Sequence, residues 1–153
     1  MKTQKTLDIE NALASHTKHN RIFGCFEVTI GWYGQERVDY LTMDYDYAWR
    51  CHEIKISKSD FYSRAKKTFC GHYNYYVMPL ELFEIVKGDI PTHIGVKCLD
   101  KYGCIESVKR AKRQDVSPDI EKVLLASMIR SLCREIDKLE KNGEFGRAKP
   151  TED

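Results

Sequence analysis

Residues 37–41 (RVDYL) and 49–56 (WRCHEIKI) decide the fold, because both stretches are rich in the β-branched and aromatic side chains typical of strands. The segment between them contains Asp44-Tyr45-Asp46, which is a turn signal. The two stretches are therefore predicted to pair as an antiparallel hairpin. If the turn is centred near Asp46, residues whose numbers sum to 92 lie opposite each other. Asp39 then faces Glu53, with the two Cβ atoms about 4.5–5.5 Å apart.

This register predicts a site for a cation. Facing carboxylates repel each other and destabilise a sheet unless a cation lies between them. A hard divalent ion such as Mg²⁺ binds one or two carboxylates and keeps several waters, and the Ile54 carbonyl could add a ligand. Side chains alternate along a strand, so Lys55 should lie on the same face as Glu53. There its ammonium could stabilise charge on a phosphate oxygen or help to position a water, which is the chemistry of phosphodiester hydrolysis.

A structural explanation of the same residues stays open. Asp39, Glu53 and Lys55 could form an ion triad on an exposed sheet face, where each pair contributes at most about 1 kcal/mol. Apolar neighbours on both sides, among them Val38 and Ile56, favour a covered sheet instead.

The rest of the chain predicts a mixed α/β fold. In chain order we expect a helix at 7–19, strands at 22–33, 37–43 and 47–56, a helix at 57–69, a strand at 74–78, a helix at 79–86, and strands at 93–99 and 104–108. A turn is expected at 31–34. Along 37–43, strict alternation puts Val38, Tyr40 and Thr42 on one face and Asp39 and Leu41 on the other. The first three strands should form an antiparallel meander, and the helix at 57–69 should cross over to a parallel neighbour, with helices on both sides of the sheet.

The last helix has the clearest boundaries. Ser117 is a helix N-cap, Pro118 suits the first helical position, and Asn142-Gly143 ends a helix at about 117–142. Apolar residues recur along it at close to fourfold spacing: Ile120, Leu124, Met128, Leu132, Ile136 and Leu139. This stripe predicts a helix that packs on the sheet, and the alternative is a helix that pairs with a second copy of itself.

Composition limits the class of protein. The 153 residues are 42% hydrophobic and 31% charged, which predicts a single domain over 1–153 with a packed core. No apolar run approaches the roughly 20 residues of a membrane span, and the N-terminus does not read as a signal peptide. The six cysteines contain no Cys-x-x-Cys pair, so they favour reduced thiols over zinc ligands. We therefore expect a cytoplasmic protein of a bacterium or of a phage-infected cell.

Positive charge is clustered although the net charge is only +2. One cluster around the predicted helix at 57–69 contains Lys58, Arg64, Lys66 and Lys67, and a second lies at 109–113. The first is well placed to hold a DNA backbone near the cation, in sequence-neutral and salt-sensitive contacts. The alternative is two solvated basic faces that acids elsewhere in the fold balance.

Several segments together resemble the PD-(D/E)XK nuclease superfamily, and most closely its MmcB-like DNA-repair branch with relatives in phages. The likeness runs over about 5–113. Its segments are RVDYL at 37–41, WRCHEIKISKSDF at 49–61, NYYVMP at 74–79, the strand around Ile94-Gly95-Val96, and VKRAK at 108–112. The superfamily has a restriction-endonuclease-like αβββαβ core, which matches the expected order of elements.

The resemblance implies roles for individual residues. Asp39 and Glu53 would be metal ligands, with Lys55 as the catalytic lysine and Mg²⁺ as the cofactor, for which Mn²⁺ would substitute. A further acidic ligand would be Glu10 on the first helix or Glu27 on the first strand. Val38 stands where the superfamily often has proline.

We therefore expect a Mg²⁺-dependent DNA endonuclease of bacterial or phage DNA processing. The alternative is a nuclease-like module that binds DNA or a partner protein and cuts slowly or never. A third possibility is a phage protein that inhibits a host factor. Specificity could come from a homodimer or from a partner protein, because no recognition domain accompanies the core.

Overall fold

A computed structural model describes residues 1–31 and 36–144. Its helices are α1 (Gln4–His19), α2 (Lys58–Phe61), α3 (Leu80–Val86) and α4 (Pro118–Lys141), and a 3₁₀ turn follows α3 at Lys87–Asp89. Its strands are β1 (Phe23–Ile30), β2 (Glu36–Met43), β3 (Trp49–Ile54), β4 (Tyr73–Pro79), β5 (Gly95–Leu99) and β6 (Ile105–Lys109).

The six strands form one mixed sheet in the order β1-β2-β3-β4-β5-β6. The pairs β1/β2, β2/β3 and β5/β6 are antiparallel, whereas β3/β4 and β4/β5 are parallel. The predicted meander and the parallel neighbour after it are therefore confirmed.

Helices cover both faces of the sheet. On one face, Ile9 and Leu13 of α1 pack with Tyr40, Ile54 and Val77. On the other, Leu124 and Met128 of α4 pack with a group that includes Leu41, Trp49 and Cys51. α3 lies on this second face too, where Leu82 and Val86 pack against Tyr76, Met78 and Val96. The α/β class with helices on both sides is confirmed.

The segment after β3 differs from the prediction of a helix at 57–69. Ser57 caps α2 by accepting a hydrogen bond from the Asp60 N–H, but the helix ends at Phe61. From there to β4 the chain is irregular, and it brings Phe69 back onto the same buried cluster as Phe61. Tertiary contacts at the two ends of this segment outweigh its helix propensity.

The boundaries of α4 are as predicted. Ser117 accepts a hydrogen bond from the Ile120 N–H, and the helix ends before Asn142. Only its N-terminal half packs on the sheet, through Leu124 and Met128. The other members of the predicted stripe are exposed: Ile120 by 42%, Leu132 by 40%, Ile136 by 42% and Leu139 by 39%. The described part of the chain contains no helix long and apolar enough to cross a membrane.

Two of the predicted turns need comment. The turn predicted at 31–34 lies, beyond Gly31, outside the described residues. The turn between β2 and β3 extends to Ala48, because Tyr47 has a φ of +60° that is incompatible with the predicted start of a strand. The Asp44 carboxylate closes this turn by accepting from the Asp46 and Ala48 N–H groups.

Candidate active site

The β2–β3 hairpin has the predicted register. Tyr40 pairs with His52 and Leu41 with Cys51, so partner numbers sum to 92 and Asp39 falls opposite Glu53. The Ile54 N–H donates a hydrogen bond of 2.9 Å to Asp39 Oδ2, which fixes the Asp39 carboxylate against β3. The Thr68 N–H, from the irregular segment after α2, reaches Glu53 Oε1 at 3.4 Å. The hairpin and the returning chain together hold the two acids in place.

Glu53 is a buried carboxyl group with an acidic neighbour. It is 4% exposed. Burial, and then the negative charge and hydrogen bond of Asp39, raise its pKa to about 8. Near pH 7 the two carboxyl groups therefore carry less charge than two free acids would. A cation between them would remove this cost, because it would favour both ionised forms.

Lys55 lies just beyond β3, on the side of Glu53. The residue is 5% exposed, and its N–H donates to the Val77 carbonyl of β4, which extends the strand contact by one residue. Its ammonium lies 3.7 Å from Asp60 Oδ1. Asp60 is itself fixed, because its other oxygen accepts from the Ile56 N–H. Asp60, which is not one of the two facing acids, thus holds the Lys55 ammonium close to Asp39 and Glu53.

One cavity of about 580 Å³ is lined by the four candidate acidic ligands and the candidate catalytic lysine: Glu10, Glu27, Asp39, Glu53 and Lys55. The predicted juxtaposition is therefore present. α1 contributes Glu10 from above the sheet, and β1 contributes Glu27.

Lys2 also lines this cavity, although no pattern in the sequence indicates it. Its ammonium is 2.5 Å from Glu10 Oε1 and 3.5 Å from Glu27 Oε1. The hydrogen bond to Glu10 is the main cause of the raised pKa of Lys2. The Lys2 ammonium thus bridges Glu10 and Glu27, the two alternative positions for a further acidic ligand.

Glu27 lies at a break in the strand alternation. Its φ is +53°, a left-handed conformation that is uncommon outside glycine, and the register places it opposite Asp39. Val28 packs in the same cluster as Cys25, and Val38 in the same cluster as Leu41, although strict alternation would separate each pair. The prediction that Val38 and Tyr40 share a face is therefore wrong: Tyr40 packs on the α1 side. Irregular backbone next to a site commonly re-aims side chains, as bulges do.

The donor set suits a hard divalent ion only in part. The carboxyl groups of Asp39, which is half-buried, and Glu53, which is buried, and the carbonyl of Ile54 are oxygen ligands of the kind that Mg²⁺ prefers. Among residues 1–31 and 36–144, however, no group of three or more His, Cys, Asp or Glu side chains converges as a metal site. Glu10 and Glu27 are bound to Lys2 instead of completing such a group.

The predicted DNA-binding residues lie near the cavity but not on one helix. Lys58 begins α2, and the other three lie on the irregular segment after it. Lys66 lines the cavity and pairs with Glu36 at 2.6 Å. The ammonium of Lys67 lies over the rings of Phe61 and Tyr76. Lys58 and Arg64 are exposed.

His72, just before β4, has a structural role. It is buried, its Nδ1 accepts from the Trp49 N–H, and its Nε2 lies 3.2 Å from Glu121 of α4. It therefore ties the start of β3 to α4.

No protein-family model and no curated protein sequence matches the chain. Among solved structures, the fold is similar to a protein of unknown function from Silicibacter pomeroyi, SPO1766, with a TM-score of 0.75. The alignment covers 97% of this chain and 100% of that one, at 19% sequence identity. This likeness defines the class of fold, a six-stranded mixed α/β sheet between helices with a long C-terminal helix.

Proposed function

We propose that the protein is a divalent-cation-dependent DNA endonuclease with a restriction-endonuclease-like αβββαβ core, of the PD-(D/E)XK type. The observation that carries the proposal is the buried contact between Asp39 and Glu53 across two neighbouring strands, with Lys55 in the same cavity. Two acids at close range, one of them nearly fully buried, cost free energy that a bound cation offsets. The sequence resemblance supplies the reaction class.

Each residue has a part in this proposal. Asp39, Glu53 and the Ile54 carbonyl would hold the cation, Mg²⁺ or Mn²⁺. The cation would lower the pKa of water and offset negative charge on the phosphodiester. The Ile54 N–H keeps the Asp39 carboxylate oriented, and the Thr68 N–H does the same for Glu53. Lys55, held by Asp60, would stabilise the negative charge that develops on a phosphate oxygen.

The basic residues around the cavity support a polyanionic substrate. Lys66 lines the cavity, and Lys58 and Arg64 are exposed and adjoin in sequence the lining residues Ser57 and Ala65. Contacts of this kind bind the backbone of DNA irrespective of base sequence, and they weaken steeply with salt.

One specific observation favours the second candidate, a DNA-binding module that cuts slowly or never. Lys2 bridges Glu10 and Glu27, so the two additional acids are already neutralised by the chain itself. A protein of this kind would bind DNA through its basic residues without needing a cation.

A cleavage assay with matched variants tests the proposal. Plasmid, single-stranded and branched DNA are incubated with the protein in Mg²⁺, Mn²⁺ or EDTA. We expect cation-dependent products from the unaltered protein and from Lys122→Met, which removes an exposed lysine of α4. Asp39→Asn and Lys55→Met should lose at least 100-fold in rate while they retain the circular dichroism spectrum of the parent.

The other outcomes are equally clear. A mobility shift without products, unchanged by EDTA, would favour the binding module. Full cleavage by Asp39→Asn or Lys55→Met would refute the assignment of the site.

A further inference from the structure

A second cavity, of about 250 Å³, lies between α1 and the sheet and has a different chemistry from the first. Its polar lining includes His16, Thr42, Asp44, Arg50, His52 and Lys97. Thr17, Asn20 and Tyr40 also line it, but their side chains are already bonded to one another or to α1 carbonyls. The only carboxylate in this lining, Asp44, is bound to Arg50 at 2.6 Å and to the backbone of its own turn. The cavity therefore has an excess of positive charge. None of these residues takes part in the proposed active site.

The hydrogen bonds of His52 define how its ring is protonated. The residue is 2% exposed, so its ring bonds only to groups of the chain. Its Nδ1 lies 3.1 Å from the Tyr40 carbonyl, which can only accept, so Nδ1 carries the proton. Nε2 is then an acceptor, and it faces the Lys97 ammonium at 3.0 Å. His52 is therefore a neutral partner that holds Lys97 without neutralising its charge.

Lys97 is a cation with no anionic partner among the described residues. Besides His52, its ammonium lies 4.2 Å from the centre of the Tyr75 ring. Burial, and then the nearby charge of Arg50, lower its pKa to about 8. Thr42, a buried residue that also lines the cavity, adds a hydroxyl group that has no hydrogen bond to the described residues. An ammonium ion and a hydroxyl group thus line one cavity with donor capacity that the chain leaves unused.

We propose that this cavity binds a small phosphate-type oxyanion, held by Lys97, Arg50 and the Thr42 hydroxyl. Arg50 uses one guanidinium nitrogen for Asp44 and stacks on Tyr73, so it is pre-oriented and has further N–H groups to donate. Thr42 lies on β2, next to β3, whereas Lys97 lies on β5 beyond β4 and reaches back to β3 at His52, 3.0 Å away. An oxyanion has several acceptor oxygens, so it can accept from three strands at once and offset the excess positive charge.

Calorimetric titration with sodium phosphate at constant ionic strength tests the proposal. Millimolar concentrations are used, because concentrated phosphate stabilises folded proteins by exclusion from their surfaces. We expect saturable binding by the parent protein and by Lys101→Met, which removes an exposed lysine. Lys97→Met should abolish binding and should also raise the midpoint of thermal unfolding without phosphate, because a half-buried cation without an anionic partner has been removed. Thr42→Val should weaken binding about fivefold, the effect of one hydrogen bond.

Two further arms make the result decisive. A nucleoside 5′-monophosphate that binds more tightly than inorganic phosphate would identify a nucleotide as the source of the anion, and equal affinity would identify the free ion. Absence of saturable binding by the parent protein, or equal binding by Lys97→Met, would overturn the proposal. If Lys97→Met does not fold, the Thr42→Val titration decides alone: unchanged affinity would then count against the site.

Discussion

Replacing Glu53 with glutamine should stabilise the cation-free protein. In the folded state the pKa of Glu53 is about 8, against 4.5 for the ordinary group, because the carboxyl is buried beside Asp39. The folded state therefore binds more protons than the unfolded state between pH 4.5 and 8, so stability falls as the pH rises through this range. Each pKa unit corresponds to 1.36 kcal/mol, so ionisable Glu53 lowers the free energy of unfolding by about 3 kcal/mol at pH 7 relative to pH 4.5.

Glutamine imitates the protonated carboxyl at every pH. Its amide can donate to Asp39, and its oxygen can still accept from the Thr68 N–H. Urea unfolding in EDTA should give equal stabilities for parent and Glu53→Gln near pH 4.5. The variant should be more stable by about 3 kcal/mol at pH 7.

A matched control and a cation arm complete this experiment. Glu106→Gln changes an exposed carboxyl on β6 and should follow the parent at every pH. Mn²⁺ should stabilise the parent but not Glu53→Gln, because the variant lacks a charged ligand. A parent whose stability does not fall between pH 5 and 8 relative to Glu53→Gln would refute the reasoning about this buried pair.

Two predictions concern the scaffold and are measured by chemical denaturation. Leu124→Ala should lower the free energy of unfolding by about 2–5 kcal/mol, because Leu124 is fully buried between α4 and the sheet. Leu125→Ala, at a residue 43% exposed, should lower it by under about 1 kcal/mol. Equal losses would mean that α4 does not pack as described. Tyr47→Gly should stabilise the protein by about 1 kcal/mol, because glycine adopts the φ of +60° without strain. The variant also keeps the N–H that donates to the Asp44 carbonyl. A loss of stability would contradict the left-handed conformation of Tyr47.

The hairpin register could be predicted because it depends on local information. A turn signal at Asp44–Asp46 and two strand-forming stretches suffice to place Asp39 opposite Glu53. The break in alternation at Glu27 could not be predicted, since its left-handed backbone has no glycine or asparagine to mark it. The helix expected over 57–69 ends at Phe61, and the irregular chain after it brings Phe69 onto the buried cluster that contains Phe61, a contact between segments that the helical pattern does not show.

The contacts that the sequence did not reveal are those between distant residues. Lys97 and His52 are 45 positions apart, and Lys2 reaches Glu27 across the end of α1. Charge counts along the chain show none of this, because both lysines look like ordinary solvated residues. A weak sequence signal for the basic cavity does exist on β3, because Arg50 and His52 are spaced two apart and so share one face of the strand.

The six residues of β3 separate two chemically opposite compartments. Arg50 and His52 face the basic cavity, and Glu53 faces the acidic one. Because neighbouring side chains point to opposite faces, inserting or deleting a single residue inside this strand would exchange the contents of both compartments. Natural variation in length should therefore fall in the flanking turn at 44–48 or in the irregular segment at 62–72, and the length of β3 itself should be invariant among proteins that keep both cavities.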